Sequence, residues 1–207
     1  MRKLLVLAAV VALCGVASAQ NLFTNPGFET GTFAGWTVKP TTNGTSNPPE
    51  TVAMYDIDGA GPLPDSLAAK FAVGQVTFQS GVQCGMELTQ SLALTAGQQY
   101  TFDFDLSTER KSSTGNAAGG NFYLIVNGVS IAEWLSGGIG GSYGNNKYYH
   151  MTANYTPAAS GNFDIGLRIT RPYICPGDVF QYVDNAAAVP EPATFALLLG
   201  VLALRRR

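Results

Sequence analysis

Tyr100-Thr101-Phe102-Asp103-Phe104-Asp105-Leu106-Ser107 is the stretch on which the fold turns. Apolar and polar residues alternate in it with a period of two. Side chains of an extended chain point to opposite faces in turn, so Tyr100, Phe102, Phe104 and Leu106 share one side and the two aspartates share the other. A helix would scatter the same rings around its circumference. The segment therefore reads as a strand with one buried face. Upstream, Met86, Leu88, Gln90, Leu92 and Leu94 repeat the pattern, and Thr95-Ala96-Gly97-Gln98 turns the chain between the two. Downstream, Phe122–Val126 and Val129–Trp134 flank Asn127-Gly128, the strongest short hairpin signal. Tyr148–Tyr155, Phe163–Thr170 and Val179–Ala187 follow, and shorter candidates lie at Gly35–Val38, Thr51–Tyr55, Leu67–Val73 and Gln75–Phe78. Pro40–Pro49, Asp56–Ser66, Thr108–Gly120 and Gly137–Asn146 are rich in turn formers and read as loops. The pattern predicts nine to eleven short strands and no amphipathic helix of length. Strands with one apolar face pair face to face, so the expected fold is all-β: a two-sheet antiparallel β-sandwich of jelly-roll type.

The two ends have a different character. Arg2 and Lys3 precede an apolar core, Leu4 to Val16, and Ala17-Ser18-Ala19 has the small residues of a cleavage site. Residues 1–19 are thus expected to be a signal-peptide helix. Cys14 follows Leu13, which is too large for a lipidation site. Residues 189–207 hold a Val189-Pro190-Glu191-Pro192 block, an apolar run from Ala193 to Leu204, and Arg205, Arg206 and Arg207. The prolines keep the chain extended ahead of the run. About 12 residues at 1.5 Å each make a helix of about 18 Å, short of the roughly 30 Å bilayer core, and the arginines stay cytoplasmic. The tail reads as a retention and processing signal; a short permanent anchor is the alternative. Residues 20–188 between the ends suit one domain with a sizeable core.

Composition agrees with export. Taking the five terminal cations from the 12 basic residues leaves 7 against 14 acidic ones, near −7, which argues against nucleic acid as a partner. Cys84 and Cys175 are the cysteines of the central region. In an oxidising compartment such a pair predicts a disulfide, closing a loop of about 90 residues and contributing roughly 4 to 5 kcal/mol; two buried free thiols are the alternative.

Two resemblances sharpen this. The Val-Pro-Glu-Pro block, apolar run and arginine cluster together resemble the PEP-CTERM sorting signal of exported bacterial proteins. That resemblance implies recognition of Val189, Pro190, Glu191 and Pro192 by the membrane protease-transpeptidase exosortase. It also implies a transient membrane contact and a Gram-negative cell that makes extracellular polysaccharide. Asn25-Pro26-Gly27-Phe28-Glu29 followed by Gly35-Trp36 resembles the opening of jelly-roll, galactose-binding-like domains, among them many carbohydrate-binding modules. Leu88-Thr89-Gln90-Ser91 and Thr95–Phe102 are similar to their middle strands, and Tyr182-Val183-Asp184-Asn185 to the closing strand that lies beside the first. Ala186, Ala187 and Ala188 depart from the apolar residues usual there and predict a weaker final strand.

The second resemblance implies a structural calcium held by Glu29 and Asp184 with backbone carbonyls such as that of Gly31, a donor set adequate for Ca²⁺. A turn cap at Glu29 and backbone bonds to Asp184 are the alternative. For sugar binding, the region 134–149 supplies Trp134, Tyr143, Asn145 and Tyr149 among exposing glycines. Tyr148 and Tyr149 cannot both face the core of a strand, so one is exposed. Trp134 with one tyrosine as plain core is the alternative; Trp36 reads as buried. His150, the sole histidine, lies among strand residues with no evident nucleophile beside it in sequence. Asp103 and Asp105 share a face about 7 Å apart, which a glycosidase pair could use and a solvated strand face equally explains. The expected function is therefore non-enzymatic: an exported cell-surface or matrix protein whose sandwich binds exopolysaccharide. A secreted glycan-active hydrolase and a purely structural matrix protein are the other two readings.

Overall fold

Phe102, Phe104 and Leu106 are fully buried, as the alternation requires. The structure is a computed structural model that describes residues 20–191 except 60, 113, 114, 142, 176 and 177. Residues 1–19 and 192–207, and with them the expected signal peptide, apolar helix, Pro192 and Arg205–Arg207, lie outside the described residues. The described residues form strands and no helix. In order these are β1 (Thr37–Pro40), β2 (Gly44–Ser46), β3 (Thr51–Tyr55), β4 (Ser66–Phe71), β5 (Val73–Gln75) and β6 (Cys84–Leu94). Then come β7 (Tyr100–Arg110), β8 (Asn121–Val126), β9 (Val129–Leu135), β10 (Asn146–Tyr155), β11 (Gly161–Arg171) and β12 (Val179–Pro190).

One five-stranded sheet runs β1-β6-β11-β8-β9 and the other β10-β7-β12-β4-β3, with β2 and β5 forming a small third ribbon. All pairings between these strands are antiparallel. The inner faces interlock through Leu88, Phe102, Phe104, Leu106, Leu124, Ile165, Leu167 and Val183, so the expected jelly-roll sandwich is what forms. The ribbon is the addition. β2 lies inside the segment expected to be loop, where Asn43 takes a left-handed φ of 58° and both sides of its amide bond Thr77 of the facing segment.

The opening motif builds one end of the core. Phe28 is fully buried and stacks on Trp36 at 5.5 Å, and Trp36 Nε1 donates to the Asn25 carbonyl at 3.0 Å. Residues 21–26 then run alongside β12: Leu22 N donates to Ala188 O and Ala186 N to Pro26 O, both at 2.9 Å. Gln90 on β6 grips the same segment through both the N–H and C=O of Thr24.

Two expectations need correction. The alanines do not end the final strand, although its register with β7 shifts between Asp184 and Ala187. It runs on to Pro190, and Ala186 and Ala188 are buried because small side chains let the opening segment approach. The disulfide is not formed: Cys84 and Cys175 are free thiols. Each sulfur has a different neighbour, Cys175 donating to Ala72 O at 3.0 Å and Cys84 lying 4.0 Å from the Asn43 amide. The described part of the Val189–Pro192 block is extended but docked. Val189 and Pro190 pair with Thr101 and Tyr100, Glu191 N donates to Gln99 O, and Thr101 Oγ1 donates to Glu191 Oε1 at 2.6 Å.

Candidate functional site

The alternation that buries Phe102 and Phe104 turns Asp103, Asp105, Ser107 and Glu109 outward, onto the face of the β10-β7-β12-β4-β3 sheet away from the core. Register brings partners from the neighbouring strands. Tyr148, Ser107, Tyr182 and Lys70 form one row across the sheet, and His150, Asp105 and Asp184 form the next. The loop between β3 and β4 crosses this face: Ile57 is fully buried against Ala68 and Tyr182, and Gly59 abuts the side chain of Asn146 on β10. The crossing divides the face into two ends.

One end is a carboxylate cluster. Asp105 is nearly buried and accepts from Tyr148 OH at 2.6 Å, from Asn185 Nδ2 at 2.9 Å and from His150 Nδ1 at 2.8 Å. His150 Nε2 is 3.7 Å from Asp103, so the imidazole bridges the two aspartates. The Tyr148 hydroxyl is pushed well above its ordinary value by burial and by the Asp105 carboxylate it serves. Beside this cluster, Asp184 accepts from Ser66 and from the Asn185 N–H. A methyl group placed on Gly27 would lie 3.6 Å from Asp184 Oδ1 and 3.8 Å from Glu29 Oε1, so both carboxylates expected to hold calcium lie near Gly27, and Glu29 Oε1 also accepts from Leu67 N. Burial, then the charges of Glu29 and Asp105, push Asp184 up to about 6. No third acidic, histidine or cysteine side chain joins them in a metal-binding group among the described residues. A pair of carboxylates short of positive charge fits a hard cation, with backbone oxygens left to complete the shell.

The other end is aromatic and cationic. Tyr55 and Tyr182 stack face to face at 3.5 Å, and Tyr182 OH donates to Glu109 Oε2 at 2.9 Å. Lys111 pairs with Glu109 and lies 5.7 Å from the ring of Tyr143, which is 68% exposed. Lys70 Nζ sits 4.0 Å over the Phe180 ring.

The residues expected to bind sugar are thus separated. Trp134 and Tyr149 do meet, stacked at 5.3 Å where β9 and β10 close the side of the sandwich. Trp134 also stacks on the buried Phe122 at 5.2 Å, which ties its ring into the core. Tyr143 belongs instead to the aromatic end of the outer face. Asn145 turns back into its own loop, Nδ2 donating to Gly140 O at 2.6 Å. Sequence reading missed Tyr55, Lys70, Phe180 and Tyr182. Only strand order reveals them, because they lie on three strands far apart in the chain.

No family model matches the chain, and no curated protein matches it. Solved structures do. A carbohydrate-binding module, TmCBM61 in complex with β-1,4-galactotriose, is 18% identical with a TM-score of 0.51, covering 84% of this chain and 100% of that one. The likeness shows the fold, a two-sheet antiparallel jelly roll. A cyclase from Fischerella sp. TAU in complex with 4-(1H-indol-3-yl)butan-2-one is 19% identical over 84% of this chain and 99% of its own, at a TM-score of 0.52. A looser likeness, at 11% identity and a TM-score of 0.43, is to the CBM22-1 xylan-binding domain from Paenibacillus barcinonensis Xyn10C, with coverages of 86% and 99%. The same jelly roll serves a sugar binder and a cyclase, so function has to be argued from the site.

Proposed function

We propose that the chain is an exported, non-catalytic carbohydrate-binding β-sandwich that acts at the cell surface or in the extracellular matrix, on exopolysaccharide. The observation that carries this is the aromatic end of the outer face. There the exposed ring of Tyr143 and the half-buried ring of Phe180 lie 5.7 Å and 5.4 Å from the same Lys111 ammonium, with Glu109 and Lys70 nearby. A sugar ring needs an apolar platform together with directional polar groups, and this end supplies both. The jelly roll shared with a carbohydrate-binding module supports the same reading. Sorting follows from the tail: exosortase would act at Pro190-Glu191-Pro192, and the run from Ala193 to Leu204 would hold the chain at the membrane until then.

A structural Ca²⁺ at Glu29 and Asp184 belongs to the proposal. When bound, the ion supplies the positive charge that these carboxylates lack. Glu29 and Asp184 would thereby join the opening segment to β12, a role separate from sugar contact.

Glycan-array binding of the purified protein tests the main reading. Tyr143→Ala and Phe180→Ala should weaken whatever binding is seen, while Trp134→Ala and Tyr149→Ala report on the edge stack instead. Failure to retain any polysaccharide would leave a purely structural matrix role. One observation favours a second reading, a glycan-active hydrolase: His150 bridging Asp103 and Asp105. Polysaccharide turnover abolished by Asp103→Asn would establish it.

A further inference from the structure

Next to the aromatic end of the outer face lies a cavity of about 260 Å³ lined by Pro48, Pro49, Thr51, Lys70 and Phe180 among others. Pockets for drug-sized ligands measure roughly 300–1,000 Å³, so this smaller space suits a single sugar ring. Its walls are apolar except at Thr51 and Lys70. Lys70 makes no hydrogen bond and no ion pair among the described residues. Its ammonium rests 4.0 Å over the Phe180 ring, and the ammonium of Lys111 lies 5.4 Å from that same ring. The carboxylate at hand, Glu109, is engaged by Lys111 and by Tyr182 OH. Two ammonium groups therefore gather around one ring with one engaged carboxylate between them, in a chain whose net charge is −2. Burial, and then the charge of Lys111, hold Lys70 below its ordinary value, and the charge of Glu109 offsets this only in part.

We propose that this cavity takes the carboxylate-bearing residue of an acidic polysaccharide, a uronate whose carboxylate pairs with the Lys70 ammonium while its ring lies against Pro48 and Pro49. This inference rests on the carbohydrate-binding reading and names its ligand class. A neutral sugar would leave Lys70 as it stands. A carboxylate completes the pair in a partly desolvated setting, where charge-assisted hydrogen bonds are strongest. The opposite end of the face, with Asp103, Asp105 and Asp184, repels a polyanion, so the acidic residue of the glycan is directed to the Lys70 end.

The experiment is calorimetric titration of the purified full chain with sodium polygalacturonate, with the same polymer fully methyl-esterified, and with neutral β-1,4-galactan. The expected result is binding of polygalacturonate at least tenfold tighter than of its ester. Lys70→Gln should weaken it by roughly ten- to a hundredfold, the worth of one charge-assisted contact, and Lys70→Arg should restore much of it. An unchanged melting temperature in Lys70→Gln would confirm that the loss is local. Equal binding of the ester or of galactan, indifferent to Lys70→Gln, would overturn the acidic assignment and leave the carbohydrate reading standing. Binding of none of the three polymers would overturn both.

Discussion

Asp184 is the residue whose charge the fold accommodates least. It is fully buried, faces Glu29 and Asp105, and among the described residues has Ser66 and the Asn185 N–H as donors. Its carboxyl titrates near 6 when folded, against an ordinary 3.8. Between those values the folded chain holds the extra proton, so the stability it contributes is complete below the unfolded value and disappears as pH rises through 6. The metal-free protein should therefore melt higher at pH 5 than at pH 7.5, and Asp184→Asn should remove most of that difference. Glu87 works the other way at lower pH: burial opposes its charge, but Arg168 and Lys39 outweigh burial and hold it below its ordinary value. Scanning calorimetry across pH separates the two. Calcium added at pH 7.5 should raise the melting temperature of the wild type and leave Asp184→Ala unmoved. At the same scale, Gly166 on β11 shows why a mid-strand glycine is tolerated. An added Cβ would come within 1.9 Å of the Leu88 carbonyl oxygen on β6. Gly166→Ala should cost about 1–3 kcal/mol by denaturant unfolding, as overpacking against a backbone does.

The hairpin of β8 and β9 is the element most directly written in the chain. Asn127 and Gly128 take φ values of 49° and 78°, the left-handed pair that a two-residue hairpin turn demands. Asn127 also ties the turn to β11, its Oδ1 accepting from Asp164 N and its own N–H donating to Asp164 O, both at 2.8 Å. Gly128→Ala should cost about 1 kcal/mol, because alanine pays the steric penalty of that conformation; a shift in the urea midpoint without a change in slope would show it. β7 was equally legible, since its alternation names both faces. β12 was not. The run Ala186-Ala187-Ala188 carries no strand signal of its own, and its burial follows from the opening segment packing over it. β2 was hidden for a similar reason: three residues in a turn-rich stretch become a strand only because β5 lies opposite.

The whole molecule decides what becomes of the cysteines. Compartment chemistry argues for a bond between Cys84 and Cys175, yet in this structure each thiol has its own neighbour and burial raises that of Cys175. Both should be alkylated in denaturant without prior reduction, and dithiothreitol should leave the melting temperature unchanged; mass spectrometry of the alkylated peptides settles the matter.

The site follows the same division between local and global. Tyr148 and Tyr149 were readable as a pair split between faces, and Glu29 and Asp184 as partners through a resemblance. The aromatic end was not readable, because Tyr55, Lys70, Phe180 and Tyr182 meet only after β3, β4 and β12 line up side by side. The sequence by itself determined the strands, the main turns and the side of β7 that enters the core, because each depends on periodicity within a few residues. Tertiary structure alone decided which outward residues share a surface, that the loop from β3 to β4 splits it, and that Lys70 stands beside a cavity with no ion pair among the described residues. Those facts depend on strand order and register, set by long-range packing that no local pattern encodes.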